Sequence, residues 1–121
     1  MEAGNVMAAD AVTVSEADDG RSIHVAPGTQ VQLVLHSTYW QPMGSSETTV
    51  LAPKESARTE ADRKACLPGG GCGTITQSFA ALKAGQASLS AQRKVCGEAL
   101  PCPPDRQRFE VTIVVAGRGD K

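Results

Sequence analysis

Apolar and polar residues alternate with a period of two through most of the chain. Val12 and Val14 share a face between Ala11 and Ser15, and Ile23 and Val25 share one in the next run. Val31, Leu33 and Leu35 then alternate with Gln30, Gln32 and Val34, the pattern of a half-buried strand. Further along, Ile75, Phe79 and Ala81 fall on one side, then Ala87, Leu89 and Ala91, and finally Phe109, Val111, Ile113 and Val115. Turn signals separate the runs. Ala26-Pro27-Gly28-Thr29 puts Pro where φ must be near −65° and Gly where φ must be positive, and Lys83-Ala84-Gly85-Gln86 reads as another turn. The stretch from Ile23 to Leu35 therefore reads as a hairpin. Asp18-Asp19-Gly20 reads as a hairpin turn too, since the other ligands of a calcium loop are missing. Thr48 to Leu51 is a short β-prone run. Residues 54–65 hold good helix formers, but their apolar residues are all Ala, so no face anchors a helix. That segment is expected to be an exposed crossover, either a short helix or an irregular edge strand.

Six to eight short strands at this turn spacing predict an all-β chain, an antiparallel immunoglobulin-like β-sandwich. At 121 residues it suits one domain. We expect the sandwich to span 11–116, between flexible segments at 1–10 and 117–121. Hydrophobic residues make up 40%, yet 17 of them are Ala and only Tyr39, Trp40, Phe79 and Phe109 are aromatic. The core is therefore short of mass, and cross-links gain weight. The net charge of −1 includes no basic stripe, which argues against a nucleic-acid partner. No apolar run approaches the ~18 residues of a membrane span. Arg118-Gly119-Asp120 matches an integrin-binding tripeptide, but three residues near a frayed end are a chance match.

Four cysteines carry the next signal. Cys66 and Cys72 are six apart, as are Cys96 and Cys102, and neither spacing is that of a zinc knuckle or a redox CxxC. Three pairings are open. Cys66–Cys72 and Cys96–Cys102 are favoured, because each closes a short Gly- or Pro-rich loop; free thiols and a four-cysteine zinc site are the alternatives. Two disulfides would place the protein outside the cytoplasm, secreted or in a cell-envelope lipoprotein. The first ten residues have neither the basic nor the apolar region of an export signal, so that signal is expected to lie outside this chain.

Catalysis has little to stand on. His24 and His36 fall at outward positions, and no HExxH, GxSxG, phosphate loop or dinucleotide fingerprint occurs. No nucleophile, base and orienting group come together, so neither an enzyme nor a cofactor or metal is expected. Three segments look like binding loops instead. One runs from His36 to Gly44 and holds the only Tyr and the only Trp. Such aromatics are frequent interface anchors, although Trp40 could equally plug the core between the sheets. The others are the Gly-rich loop from Cys66 to Gly73 and the Pro-rich loop from Val95 to Pro104.

With strands and loops in this order, the chain resembles the chagasin family, immunoglobulin-fold inhibitors of papain-like cysteine proteases. The resemblance runs from about Ile23 to Val115. It is carried by the stretch from Ile23 to Leu35, by Gly73-Thr74 leading to Phe79, by Ala81-Leu82-Lys83-Ala84-Gly85 and by the last strand. It implies inhibition through three neighbouring loops: an NPTTGY-type loop, a GxGG loop and an RPW loop. The first falls at Ser37-Thr38-Tyr39-Trp40, which keeps the aromatic character without the Asn-Pro-Thr-Thr-Gly run. The second matches Gly70-Gly71-Cys72-Gly73, and the third falls at Lys94-Val95-Cys96, where a basic residue stands without the Pro and Trp. Thr38, Tyr39, Trp40, Gly70, Gly71, Gly73, Lys94 and Val95 are thus the expected partner-binding residues. The expected function is that of a non-catalytic, monomeric binding module for a papain-like protease or another extracytoplasmic protein. The rival reading is an envelope-associated immunoglobulin-like domain without inhibitory activity.

Overall fold

A computed structural model describes residues 11–62, 64–66, 70–97 and 100–116. The segments 1–10 and 117–121, including Arg118-Gly119-Asp120, lie outside the described residues. Eleven strands are seen among those described, and they form two sheets and a separate hairpin. One sheet contains β1 (Ala11–Ser15), β3 (Gln30–Leu35), β7 (Gly73–Ala81) and β5 (Leu51–Pro53) in that order, with β6 (Arg58–Ala61) also paired to β7. The other runs β2 (Ser22–Val25), β11 (Arg108–Val115), β8 (Gly85–Gln92), β4 (Gln41–Ser45). The hairpin is β9 (Val95–Gly97) with β10 (Leu100–Pro101). The architecture is an immunoglobulin-type β-sandwich, as the alternation predicts.

The inward faces are those read from the sequence. Val31, Leu33, Leu35, Ile75, Phe79 and Ala81 from one sheet meet Ala87, Leu89, Ala91, Phe109, Val111, Ile113 and Val115 from the other. Alanine earns its place by register. Phe109 lies opposite Ala91 and Ile113 opposite Ala87, so on either side of the Val111–Leu89 pair a large side chain faces a small one. Enlarging either alanine would force its partner out of its rotamer, at a cost of about 1–3 kcal/mol.

Three expectations need correction. The turns at Ala26–Thr29 and around Asp19–Gly20 do not close hairpins: β1 and β3 lie in one sheet and β2 in the other, so both turns carry the chain across the sandwich. Alternation reports which face of a strand is buried but not which sheet it joins. For the same reason β1 pairs with β3, and β2 with β11, in parallel rather than antiparallel fashion. Thr48 to Val50 is a turn, with the Val50 and Leu51 N–H groups both donating to the Glu47 carbonyl (3.1 and 3.0 Å), and the strand begins only at Leu51. Of the two forms expected for segment 54–65, an edge strand is present at Arg58–Ala61, β6, and all four of its residues are exposed.

Candidate loop cluster at one end of the sandwich

The connections that carry the cysteines, from β6 to β7 and from β8 to β11, each begin and end in the same sheet. Both open at the end where β3 finishes and β4 begins, because Leu35 pairs with Ile75 near the start of β7 and Gln41 pairs with Gln92 at the end of β8. Segment 36–40 lies there as well; the first predicted loop stops at Trp40, because Gln41 to Gly44 belong to β4. All three predicted loops therefore meet at one end, joined by the β1–β2 connection, whose Ser15 pairs with Val34.

Segment 36–40 is held from several sides. Ser37 is buried, and its hydroxyl accepts from the Tyr39 N–H at 3.1 Å. The Thr38 N–H donates to the Gly71 carbonyl at 2.9 Å, which ties the first loop to the second. Gly71 has φ of +87°, and a β-carbon there would overlap the Tyr39 ring. Gly73, at φ +139°, lies so near the Glu60 carbonyl and Ala61 that a side chain would collide with β6 backbone. These two positions need glycine for space as well as for conformation.

Trp40 is 5% exposed and is the core plug. That corrects its assignment as a direct partner contact. Its ring meets Phe109 edge-on, with centroids 6.5 Å apart, and the Arg93 guanidinium lies 4.2 Å from the ring centroid on the outer side. Its indole N–H donates to Glu16 Oε2 at 3.1 Å. A buried indole needs such an acceptor, since an unpaired donor would cost about 1–3 kcal/mol.

Glu16 comes from a short 3-10 turn, Glu16–Asp18, closed by a capping box in which the Ser15 hydroxyl accepts from Ala17 and Asp18 accepts from the Ser15 N–H. The same carboxylate takes the His36 backbone N–H and lies 2.8 Å from His36 Nδ1. Burial pushes its pKa up, but the hydrogen bonds from the His36 side chain and backbone, its own backbone N–H and the His36 charge outweigh this. Glu16 is held below its ordinary value.

The second loop closes on itself. Asp62 donates its N–H to the Cys72 carbonyl at 3.0 Å, its side chain accepts from Lys64 and Ala65, and Cys66 is bonded to Cys72. In the third, Cys96 is bonded to Cys102 across the β9–β10 hairpin. The favoured pairing is the one present, and no described cysteine is free. Arg93 fixes the base of this loop, its backbone N–H donating to Gln107 and its Nε to the Arg106 carbonyl. Tyr39 and Gln41 face Gln92, Arg93, Lys94 and Val95 across a cleft of about 250 Å³, so the first and third loops share a wall. On the other flank, His36, Glu60, Asp62, Lys64 and Thr74 line an open groove of about 700 Å³.

Of the predicted residues, Thr38, Tyr39, Gly70, Gly71 and Gly73 are half-buried, while Lys94 and Val95 are exposed. Sequence reading passed over Glu16 and Arg93. Ser15 followed by Asp18 three residues later was a legible capping signal, but its partner 24 residues on in Trp40 was not. Among the described residues no three His, Cys, Asp or Glu side chains gather to hold a metal, and no helix is long and apolar enough to cross a membrane.

No family model and no curated protein sequence matches the chain. Solved structures do. The cysteine protease inhibitor EhICP2 from Entamoeba histolytica superposes with a TM-score of 0.59 at 11% identity, over 88% of this chain and 95% of that one. Amebosin superposes with a TM-score of 0.56 at 16% identity, over 86% of this chain and 96% of that one. At such identities the likeness is one of fold: the sandwich shares its framework with these two proteins.

Proposed function

We propose that this sandwich is a non-catalytic, extracytoplasmic inhibitor module that occludes the cleft of a papain-like cysteine protease with the three loops at one end. The observation that carries the reading is the docking of these loops on one another: Thr38 bonded to Gly71, the Tyr39 ring seated on Gly71, and Tyr39 sharing a cleft with Lys94 and Val95. Thr38 and Tyr39 enter the cleft. Gly70, Gly71 and Gly73 let the second loop lie close beside them, and Lys94 and Val95 grip the opposite side. Trp40 acts from beneath, holding the first loop on the core. Inhibition of this kind needs no scissile bond in the active site; it needs a rigid surface that excludes substrate. Two disulfides and the Glu16 bonds supply the rigidity, which lowers the ordering cost of binding. An interface of roughly 800 Å² per partner is enough for a stable complex. Disulfide staples also fit residence outside the cytoplasm.

The test is a titration of activated papain and a cathepsin-type protease, cleared of reductant, with the oxidised protein. The expected result is reversible, active-site-directed inhibition near one-to-one stoichiometry, weakened at least about tenfold by Tyr39→Ala. Full protease activity at micromolar protein would overturn the inhibitor reading and favour the envelope-associated domain.

A further inference from the structure

The two cross-links have the same spacing but different surroundings. Cys102 is buried, at 5% exposure. Its N–H donates to the Lys94 carbonyl at 2.9 Å, and its carbonyl accepts from Gln107 Nε2 at 3.0 Å. Its partner Cys96 is half-buried and lies in β9. Cys66 and Cys72 are both half-buried, and both lie in the loop outside any strand. The difference matters for thiol–disulfide exchange. An attacking thiolate bonds to one sulfur and expels the other as a thiolate, so both ends of a bridge count. At Cys96–Cys102, burial shields one sulfur from attack. Attack at the other would expel a thiolate into the enclosed Cys102 site, where charge is disfavoured. At Cys66–Cys72 either sulfur can be reached, and either can leave beside water.

The accessible bridge is also the one that bears on the first loop. Cys72 stands between Gly71 and Gly73. Gly71 takes the Thr38 N–H on its carbonyl and leaves room for the Tyr39 ring. Glycines lose more freedom on ordering than other residues, so without the bridge the mobility of Gly70 and Gly71 opposes the Thr38–Gly71 hydrogen bond. We propose that Cys66–Cys72 is a reversible redox switch of the proposed inhibitory face, opened by a dithiol reductant, while Cys96–Cys102 is a permanent staple. The dithiol supplies two electrons and two protons: one S–S bond breaks, two cysteine thiols form, and the dithiol becomes a disulfide in its turn. With the bridge open, the first loop loses a fixed neighbour. The turn that presents Cys66 does not need the bridge. Asp62 donates its N–H to the Cys72 carbonyl, and its side chain accepts from Lys64 and Ala65. The two thiols therefore stay near one another, and a disulfide oxidant closes them again. This inference rests on the inhibitor reading above and adds its regulation. The target's nucleophile is itself a cysteine thiolate, so the reductant that keeps the protease active also releases it from the inhibitor.

The experiment exposes the whole oxidised protein to rising concentrations of dithiothreitol and takes two readings at each. Free thiols are alkylated with iodoacetamide and located by peptide mapping. Unalkylated samples are titrated against papain in the same buffer, each normalised to papain alone at that concentration. Trp40 fluorescence, which reports the core beneath the loops, serves as the check on folding. Cys66 and Cys72 are expected to label at lower dithiothreitol than Cys96 and Cys102, with the Trp40 signal unchanged. Inhibition should weaken at least about tenfold over the same interval and return when dithiothreitol is exchanged for oxidised glutathione. The Cys66→Ser/Cys72→Ser variant should inhibit as weakly as the reduced protein at every concentration. Labelling of all four cysteines together, or undiminished inhibition once Cys66 and Cys72 are labelled, would overturn the switch and leave the inhibitor reading standing. Papain that is activated, cleared of reductant and left fully active by the oxidised protein overturns the inhibitor reading, and the switch with it.

Discussion

The two ends of the sandwich are closed by different means. At the far end, main-chain groups do the work: Gly28 donates to Ala81, Ala81 to Thr29 and Leu82 to Val50, at 2.8, 2.9 and 2.8 Å. Three crossing turns are knitted to one another through the main chain, and side-chain bonds from Ser45, Ser46 and Thr49 are added in one of them. At the loop end, order depends on particular side chains and covalent bonds: Glu16 under Trp40 and His36, Arg93 over Trp40, and a disulfide in each long loop. The difference follows from length. A tight turn can satisfy its own backbone, whereas a loop of ten residues has more polar groups than close partners and stays mobile unless side chains tie it down. One end is therefore tolerant of sequence, and the other is where sequence matters.

The most severe test of that contrast is Trp40→Ala. Removing the plug should cost about 3–5 kcal/mol, read from urea unfolding by far-UV circular dichroism. A cost below about 1 kcal/mol would mean that the loops do not depend on it. Next is the double variant Cys66→Ser with Cys72→Ser, expected to lose about 2 kcal/mol in the chain-entropy model. It should lose more in inhibition than in stability, because the staple holds Gly71 beneath Tyr39.

Glu16→Gln should cost about 1.5 kcal/mol near neutral pH, as the charged acceptor for Trp40 and His36 is replaced by a neutral one. The sign of its pH dependence is fixed. Glu16 has a lowered pKa in the folded protein, so its contribution is fully present above the unfolded carboxyl value of about 4.3. It is lost as pH falls through the folded value, and urea midpoints of the two proteins should converge in strong acid. The smallest effect belongs to the plain end. Gly28→Ala, at φ +94°, should cost about 1 kcal/mol in thermal unfolding and leave protease inhibition unchanged. If it altered inhibition, the two ends would not be independent.

Alternation was enough to read the inward faces, down to Phe109, Val111, Ile113 and Val115, because burial repeats every second residue whatever the sheet. Sheet membership was not legible. Whether the strand after Pro27-Gly28 folds back beside β2 or crosses over depends on β3 finding β7, 42 residues away where Val34 pairs with Thr76. The cysteine pairs were favoured correctly, since six residues is a short loop to close. Trp40 was left between two roles, because its choice of the core rests on Glu16, Arg93 and Phe109, none of them near it in sequence. Leu100 was not singled out within its loop: one Leu between Ala99 and Pro101 has no periodicity to announce that it stands in water.

The position of β11 sets a timetable. It lies between β2 and β8, yet it is the last of the described strands to be synthesised. Until residues 108–115 have left the ribosome, β2 has no neighbour in its sheet, and the apolar face of β3 and β7 has nothing complete to pack against. At about 5–20 residues per second, the nascent chain stays open for several seconds. Closure of the sandwich therefore waits for β11, whatever the other strands have already paired with.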